Sequence, residues 1–333
     1  MKRRVAVIAL VLASVCLSWL GAEWVVAKAG VLEYPPSMTR GHPTRGYTLR
    51  PGFRGETSLG VPIEINAQGL RSPAVAVPKQ AGTLRVLVLG DSVTFGAGVR
   101  EDETFSRQLE TLLRGDLACP VEVVNAGVSG YGSVEEADLL EHEGLALEPD
   151  VVLVFHVEND NVAVPHLQGG LASFVKDRVV YRSHLIGASL IALRRARWML
   201  QASNAGGDAN AFGAEQAAWD QRSGTPASLD ALRRIASVAH ANGASVLLAS
   251  YPATPRNLAL DEKRHAILRD LAASTDMRFL ETGPALAPHV ADGLAVSAAD
   301  LHPNGRAHRL IAEALRPALR DALHCPASSA GHS

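Results

Sequence analysis

Apolar residues fall along this chain in three regimes. Between Val5 and Ala22 (VAVIALVLASVCLSWLGA) no charged residue interrupts them, and Met1-Lys2-Arg3-Arg4 leads the stretch. From residue 31 to 83 they come in short pieces, Tyr47–Leu49 and Ile63–Ile65, set among Pro, Gly and Arg in YPPSMTRGHPTRGYTLRPGFRG and VPIEINAQGLRSP. From Leu84 two patterns alternate. RVLVLG (85–90), VEVVNAG (121–127), DVVLVFHV (150–157), ASVLLASYP (244–252) and MRFLETG (277–283) are apolar runs closed by turn formers, which predicts buried strands. Between them, TFSRQLETLLRG carries Phe105, Leu109, Leu112 and Leu113 at helical spacing, and SVEEADLLEHEGLAL, SLDALRRIASVAHANG, DEKRHAILRDLAAST and RAHRLIAEALRPALRDAL continue the series. Pro317 falls inside the last of these helices and is expected to kink it. Strand-helix alternation of this kind predicts an α/β fold, a parallel sheet with helices on both faces.

The first regime is an address. A basic flank before an apolar stretch directs export and leaves the N-terminus in the cytoplasm. Its length is at the short limit for a spanning helix. Ala27-Lys28-Ala29 leaves signal-peptide cleavage open, whereas Trp19 and Trp24, at the position of an interfacial belt, favour an uncleaved anchor. Cys16 follows Val15, not a small residue, and so does not read as a lipid-attachment site. The expected organisation is a signal anchor or signal peptide (1–29), a β-rich approach segment or loosely packed linker (30–83), a main domain (84–325) and a flexible tail (326–333). The main domain then faces an extracytoplasmic, periplasmic space from a single-pass helix in the cell membrane, or is secreted if the N-terminal segment is removed. Residues 161–226 break the alternation and read as an insertion over the functional edge, with a basic apolar helix, SHLIGASLIALRRARWMLQ, that could instead lie on a membrane through Arg194, Arg195 and Arg197.

Composition narrows the function. At 333 residues and 47% hydrophobic the chain can bury a full core, and its net charge of −2 gives no electrostatic footprint for nucleic acid. Neither G-x-G-x-x-G nor a P-loop lysine is present, so no nucleotide cofactor is expected.

Four short polar stretches sit where strands should end: Gly90-Asp91-Ser92, Asn125-Ala-Gly-Val-Ser-Gly130, Glu158-Asn159-Asp160-Asn161 and Asp300-Leu-His-Pro-Asn-Gly305. Ligands and catalytic groups of open α/β sheets gather at that edge. Singly, each has a bland reading: Ser92 as a helix cap, Gly130 and Asn159 as turn residues, His302 with His308 as half a metal site lacking a third ligand. Together they place a hydroxyl, a backbone N–H, an amide and an imidazole in one place. In these four ordered blocks, over about residues 84–323, the chain resembles the SGNH (GDSL-type) hydrolases. The approach segment is similar to that of membrane-anchored members. The resemblance implies a flavodoxin-like three-layer sandwich with about five strands in the order 2-1-3-4-5, and no cofactor or metal. It implies Ser92 as nucleophile, His302 as its base, and an oxyanion hole from the N–H groups of Ser92 and Gly130 and the amide of Asn159. A serine hydroxyl attacks only when a base removes its proton, and each oxyanion donor is typically worth about 3 kcal/mol. Gly130 would let the backbone approach a substrate with no Cβ in the way. The absence of G-x-S-x-G disfavours an α/β-hydrolase.

Two positions depart from the family pattern. The third block has Val157-Glu158 where a glycine is usual two residues before the Asn, which would set a bulky side chain and a carboxylate beside the oxyanion site. The usual acid, three residues before the histidine, is Ala299; Asp300 stands one place later. Asp300 is the candidate to orient His302, with a backbone carbonyl and a Ser-His dyad as the alternative. Helices ending at Cys119 and Cys325 would lie side by side in a 2-1-3-4-5 sheet, so a disulfide between them is expected, against two buried free thiols. The expected function is an extracytoplasmic serine esterase for small acyl esters, O-acetyl groups on a glycan above all, working through an acyl-enzyme. A polysaccharide O-acetyltransferase on the same site and an inactive glycan-binding relative remain as alternatives.

Overall fold

The computed structural model describes residues 2–29, 32, 34–161, 183–189, 192–193, 226–252, 258–297 and 300–326, with the backbone alone at Asn159, Asn161 and 258–261. Helix α1 (Lys2–Lys28) buries none of its residues, and an 18-residue window within it has a mean hydropathy of 2.4; the helix is long and apolar enough to cross a membrane or to serve as a signal sequence. Two antiparallel hairpins follow, β1 (Thr39–His42) with β2 (Gly46–Leu49), and β3 (Arg54–Glu56) with β4 (Pro62–Glu64). The alternation then unfolds as β5 (Leu84–Gly90), α2 (Ser92–Phe95), α3 (Phe105–Asp116), β6 (Val121–Asn125), α4 (Ser133–Leu139) and β7 (Val151–His156). After the insertion come α5 (Pro226–Ala241), β8 (Ser245–Ser250), α6 (Leu258–Ser274), β9 (Arg278–Glu281), α7 (Gly283–Leu286) and α8 (Gly305–Ala322). Most of the insertion 161–226, including Arg194, Arg195 and Arg197, lies outside the described residues, as does the tail from 327.

The five strands β5–β9 form one parallel sheet in the order β6-β5-β7-β8-β9, which is the 2-1-3-4-5 topology expected from the resemblance. Its central strands β5, β7 and β8 are largely apolar runs because both faces are covered. Leu87 and Leu89 of β5 pack with Val124, Val152, Val154, Val246 and Leu248 under α4, α5 and α6, while Val86 and Val88 pack with Val123, Leu153, Phe155 and Leu247 under α3 and α8. The approach segment is no loose linker. Met38, Leu49, Ile63, Ile65 and Leu70 are at most 5% exposed and join the first of these clusters.

One helical detail differs from the sequence pattern. The helix expected over 133–147 is regular only to Leu139, then widens to a π turn (Leu140–Gly144) and tightens to a 3-10 turn (Leu145–Leu147), where Gly144 presses against Leu87 of the sheet. Helix α8 runs through Pro317 to Ala322. On the far edge of the sheet, Cys119 after α3 is bonded to Cys325 after α8, with Cα atoms 5.7 Å apart, and Arg316 forms a two-pronged ion pair with Asp116 beside it. A loop of 206 residues closed by such a bond is worth about 5 kcal/mol in the chain-entropy account.

Candidate active site

Register fixes which chain ends meet. Gly90 pairs with Phe155, and Val88 with both Asn125 and Leu153, so β5, β6 and β7 finish together at one edge. At Gly90 (φ +156°) a Cβ would lie 2.1 Å from Thr94 Oγ1 and 3.0 Å from the Phe155 carbonyl, so only glycine lets the chain turn into α2 here. Asp91 caps that one-turn helix: its Oδ1 accepts from Val93 N at 2.9 Å. Asn125 ties the neighbouring block to the same turn, its Nδ2 donating to Thr94 O at 2.7 Å and its Oδ1 accepting from Gly127 N at 2.9 Å.

The third participant arrives from the loop before α8. Ala295 bridges Pro303, Val296 N donates to His302 O at 2.9 Å, and Asn304 caps α8 by accepting from Ala307 N at 3.1 Å. Val296 packs into the space over Gly98, which lays this loop on the chain just after α2. His302 Nε2 thereby sits 2.9 Å from Ser92 Oγ, and His302 Nδ1 sits 2.7 Å from Asp300 Oδ1. A carboxylate only accepts, so Nδ1 carries the ring proton and Nε2 offers a lone pair to the serine hydroxyl. The same Asp300 oxygen accepts from His302 N at 3.1 Å, which holds ring and carboxylate in one unit. The Ser92 hydroxyl has a second acceptor, Asp91 Oδ2 at 3.1 Å. Ser92, His302 and Asp300 are all partly exposed. One hydroxyl, one oriented imidazole and one acid in series is an arrangement able to move a proton from Ser92 Oγ as that oxygen attacks a carbonyl.

Gly130 has φ +82°, is exposed, and its N–H has no hydrogen-bond partner among the described residues. What occupies the place of its missing Cβ is a side chain of this protein: Tyr47 Oη would lie 2.6 Å from that Cβ. Glycine at this position thus has an intramolecular reason of its own. Asn159 lies in the 3-10 turn Glu158–Asn161, its side chain outside the described residues, as is the whole of Ala299. Asp160 holds that turn, its Oδ2 accepting from Val157 N at 2.7 Å. Val157 does not crowd the site as expected: its side chain is 4% exposed and belongs to the core with Phe155 and Leu286. His308 is no metal partner of His302. It is fully buried in α8, its Nδ1 accepting from Phe105 N at 3.1 Å, and burial, then Arg71 and His302, hold it neutral at about 3. Among the described residues no group of three or more His, Cys, Asp or Glu could hold a metal ion.

Beneath this edge lie ionisable groups that sequence reasoning passed over. Glu136, His156 and Asp160 are each 1% exposed. Burial first, then the charges of Asp91 and Glu135, pushes the Glu136 carboxyl well up; burial, then Glu136 and Asp91, does the same to Asp160. Burial, then Arg264 and His265, pushes His156 down to about 3. Arg71, in INAQGLRSP, is buried too, and nothing in that run of turn formers sets it apart from an exposed linker arginine.

Comparison with known proteins adds a family. The model of the GDSL-like lipase/acylhydrolase family matches residues 88–310. No curated protein matches the chain. Similar solved structures include TesA, at 20% identity over 72% of this chain and 99% of that one, with a TM-score of 0.46. A two-domain esterase active on acetylated mannans shows 17% identity over 74% of this chain and 53% of that one, TM-score 0.46. Axe2, an acetylxylan esterase from Geobacillus stearothermophilus, shows 16% identity over 74% of this chain and 97% of that one, TM-score 0.42.

Proposed function

The chain belongs to the GDSL-like lipase/acylhydrolase family, whose model spans 88–310 of its 333 residues, and from that premise we propose that it is a serine esterase working through a Ser92–His302–Asp300 relay. The observation that carries the proposal is the pair of contacts on one imidazole, 2.9 Å to Ser92 Oγ and 2.7 Å to Asp300 Oδ1. Ser92 Oγ attacks the ester carbonyl while its proton passes to His302 Nε2. Asp300 holds the ring and stabilises the imidazolium that forms. The carbonyl oxygen becomes an oxyanion, which the N–H groups of Ser92 and Gly130 and the amide of Asn159 receive. The tetrahedral centre then expels the alcohol, which takes the proton from His302, and leaves an acyl group on Ser92. Water then gives a proton to the same nitrogen as its oxygen attacks the acyl carbon; the tetrahedral centre expels Ser92 Oγ, which takes the proton back from His302, and the carboxylic acid is released.

The proposed substrate is a small acyl ester, an O-acetyl group on a glycan being the first to test. The partial exposure of Ser92 and His302 at the open edge of the sheet favours a short acyl group with its bulky alcohol left outside. Helix α1, charged at Lys2, Arg3 and Arg4 and apolar thereafter, is proposed as a single membrane anchor holding the domain on the extracytoplasmic side, where the Cys119–Cys325 bond is stable. The test is covalent labelling of the full chain by a fluorophosphonate with Ser92→Ala as control, followed by turnover of p-nitrophenyl acetate and release of acetate from acetylated glycans. Labelling at Ser92 with acetate release is the expected result. A wild-type protein that neither labels nor hydrolyses p-nitrophenyl acetate overturns the esterase reading.

A further inference from the structure

The approach segment ahead of the sheet touches the site at two points. The first is Tyr47 on β2. Its Oη donates to the Ser129 carbonyl at 2.6 Å, and Tyr131 Oη donates back to the Tyr47 carbonyl at 2.5 Å, with the two rings 5.6 Å apart. The peptide between Ser129 and Gly130 is a trans plane in which C=O and N–H point in opposite directions. Holding the Ser129 oxygen against Tyr47 therefore turns the Gly130 N–H the other way, where it meets no partner among the described residues. A hydrogen bond accepted by that carbonyl also polarises the peptide and strengthens its N–H as a donor.

The second point is Arg71, which is 1% exposed. Its Nη1 donates to Phe95 O at 2.9 Å and Gly96 O at 2.6 Å, its Nη2 donates to Val99 O at 2.7 Å, and its guanidinium carbon stands 4.7 Å over the Phe95 ring. A helix of four residues leaves its last carbonyls unsatisfied, and Arg71 supplies donors to the end of the turn that begins with Ser92. Among the described residues no carboxylate forms an ion pair with it. A buried cation bonded to carbonyls is costly to keep, and among the described residues this one is bonded to the nucleophile-bearing segment alone.

Resting on the esterase reading above, we infer that Tyr47 and Arg71 are positioning residues for ester hydrolysis, Tyr47 aiming the oxyanion donor at Gly130 and Arg71 fixing the turn of Ser92. The catalytic unit then begins at the approach segment and not at Leu84. Neither residue touches substrate; both act on groups that do.

Tyr47→Phe keeps the ring and deletes the donor to Ser129. In the full-length protein it is expected to lower kcat for p-nitrophenyl acetate about 10-fold, a fraction of the ~100-fold that follows complete loss of one oxyanion donor. KM and the melting temperature are expected to stay near wild type, while affinity for phenylboronic acid, a tetrahedral mimic, falls in step with kcat/KM. Arg71→Lys cannot span three carbonyls and is expected to slow fluorophosphonate labelling of Ser92 at least as much, with some loss of melting temperature. Tyr47→Phe does not depend on the arginine variant folding. If wild-type Ser92 labels and Tyr47→Phe keeps its kcat within twofold, the positioning role is wrong and the esterase reading stands. If wild type itself does not label, both fall.

Discussion

Two groups of ionisable side chains share the C-terminal edge of this sheet and are built in opposite ways. Ser92, His302 and Asp300 are partly exposed, come from the start of α2 and the loop before α8, and are joined by contacts of 2.9 and 2.7 Å. Glu136, His156 and Asp160 are 1% exposed; among the described residues, both oxygens of Glu136, both ring nitrogens of His156 and Oδ1 of Asp160 have no hydrogen-bond partner. Burial displaces the titration of the deeper group strongly, the carboxyls upward and the imidazole down to about 3. Displaced titration marks functional sites often enough to be used as a search signal. Here it marks burial. A base must present a lone pair to the proton it removes, and His302 does so toward Ser92 while His156 is walled in.

The sharpest way to break this contrast is to delete each partner of the shallow group. Ser92→Ala is expected to abolish fluorophosphonate labelling and lower p-nitrophenyl acetate turnover at least about 1,000-fold, and His302→Ala to do nearly the same, since the two act as one unit. Retained labelling in Ser92→Ala would move the nucleophile elsewhere. Asp300→Ala is expected to be milder, about 100-fold in kcat, because it removes the orientation of a base and not the base itself. A near-wild-type rate in Asp300→Ala would leave a Ser-His pair oriented by the backbone.

How far could this contrast have been read from the chain alone? The sheet was legible because β5, β7 and β8 are buried on both faces and therefore appear as largely apolar runs. The blocks around Ser92, Gly130, Asn159 and His302 were legible because each ends a strand or opens a helix. Asp300, one place off the usual position, was legible only as a candidate, since its contact with His302 depends on how the loop 293–304 folds back through the Ala295–Pro303 bridge. Tyr47 and Arg71 were hidden by distance: their partners lie 82 and 24–28 residues away, and a stretch dense in Pro, Gly and Arg reads as a linker. The deeper group was hidden for a different reason. In SVEEADLL, Glu135 and Glu136 look like the solvated face of a helix, yet both are 1% exposed, since α5 and the sheet close over α4.

The last comparison sets the two groups apart by pH. Glu136 has an ordinary value of 4.5 and a raised one in the fold, so between these two values the native state holds a proton that the unfolded chain has released. Its contribution to stability is complete below pH 4.5 and declines as pH rises, by about 1.4 kcal/mol per pH unit, until the native value is reached. Glu136→Gln cannot titrate. Its melting temperature is expected to exceed that of wild type near pH 8 and to match or fall below it near pH 4.5, so the two curves cross. His156 works in the other direction: with an ordinary value of 6.5 and a native one of about 3, it contributes fully above 6.5 and loses stability as pH falls toward 3. His156→Gln should therefore flatten the acid limb and leave the alkaline one. Melting temperatures from pH 4 to 9, with kcat on p-nitrophenyl acetate at pH 7, check both variants, and kcat is expected to stay within about twofold of wild type. Melting curves parallel to wild type across the range would remove these residues from the pH response. A loss of kcat comparable to Asp300→Ala, in a variant that melts normally at pH 7, would draw the deeper group into the chemistry and dissolve the distinction between the two.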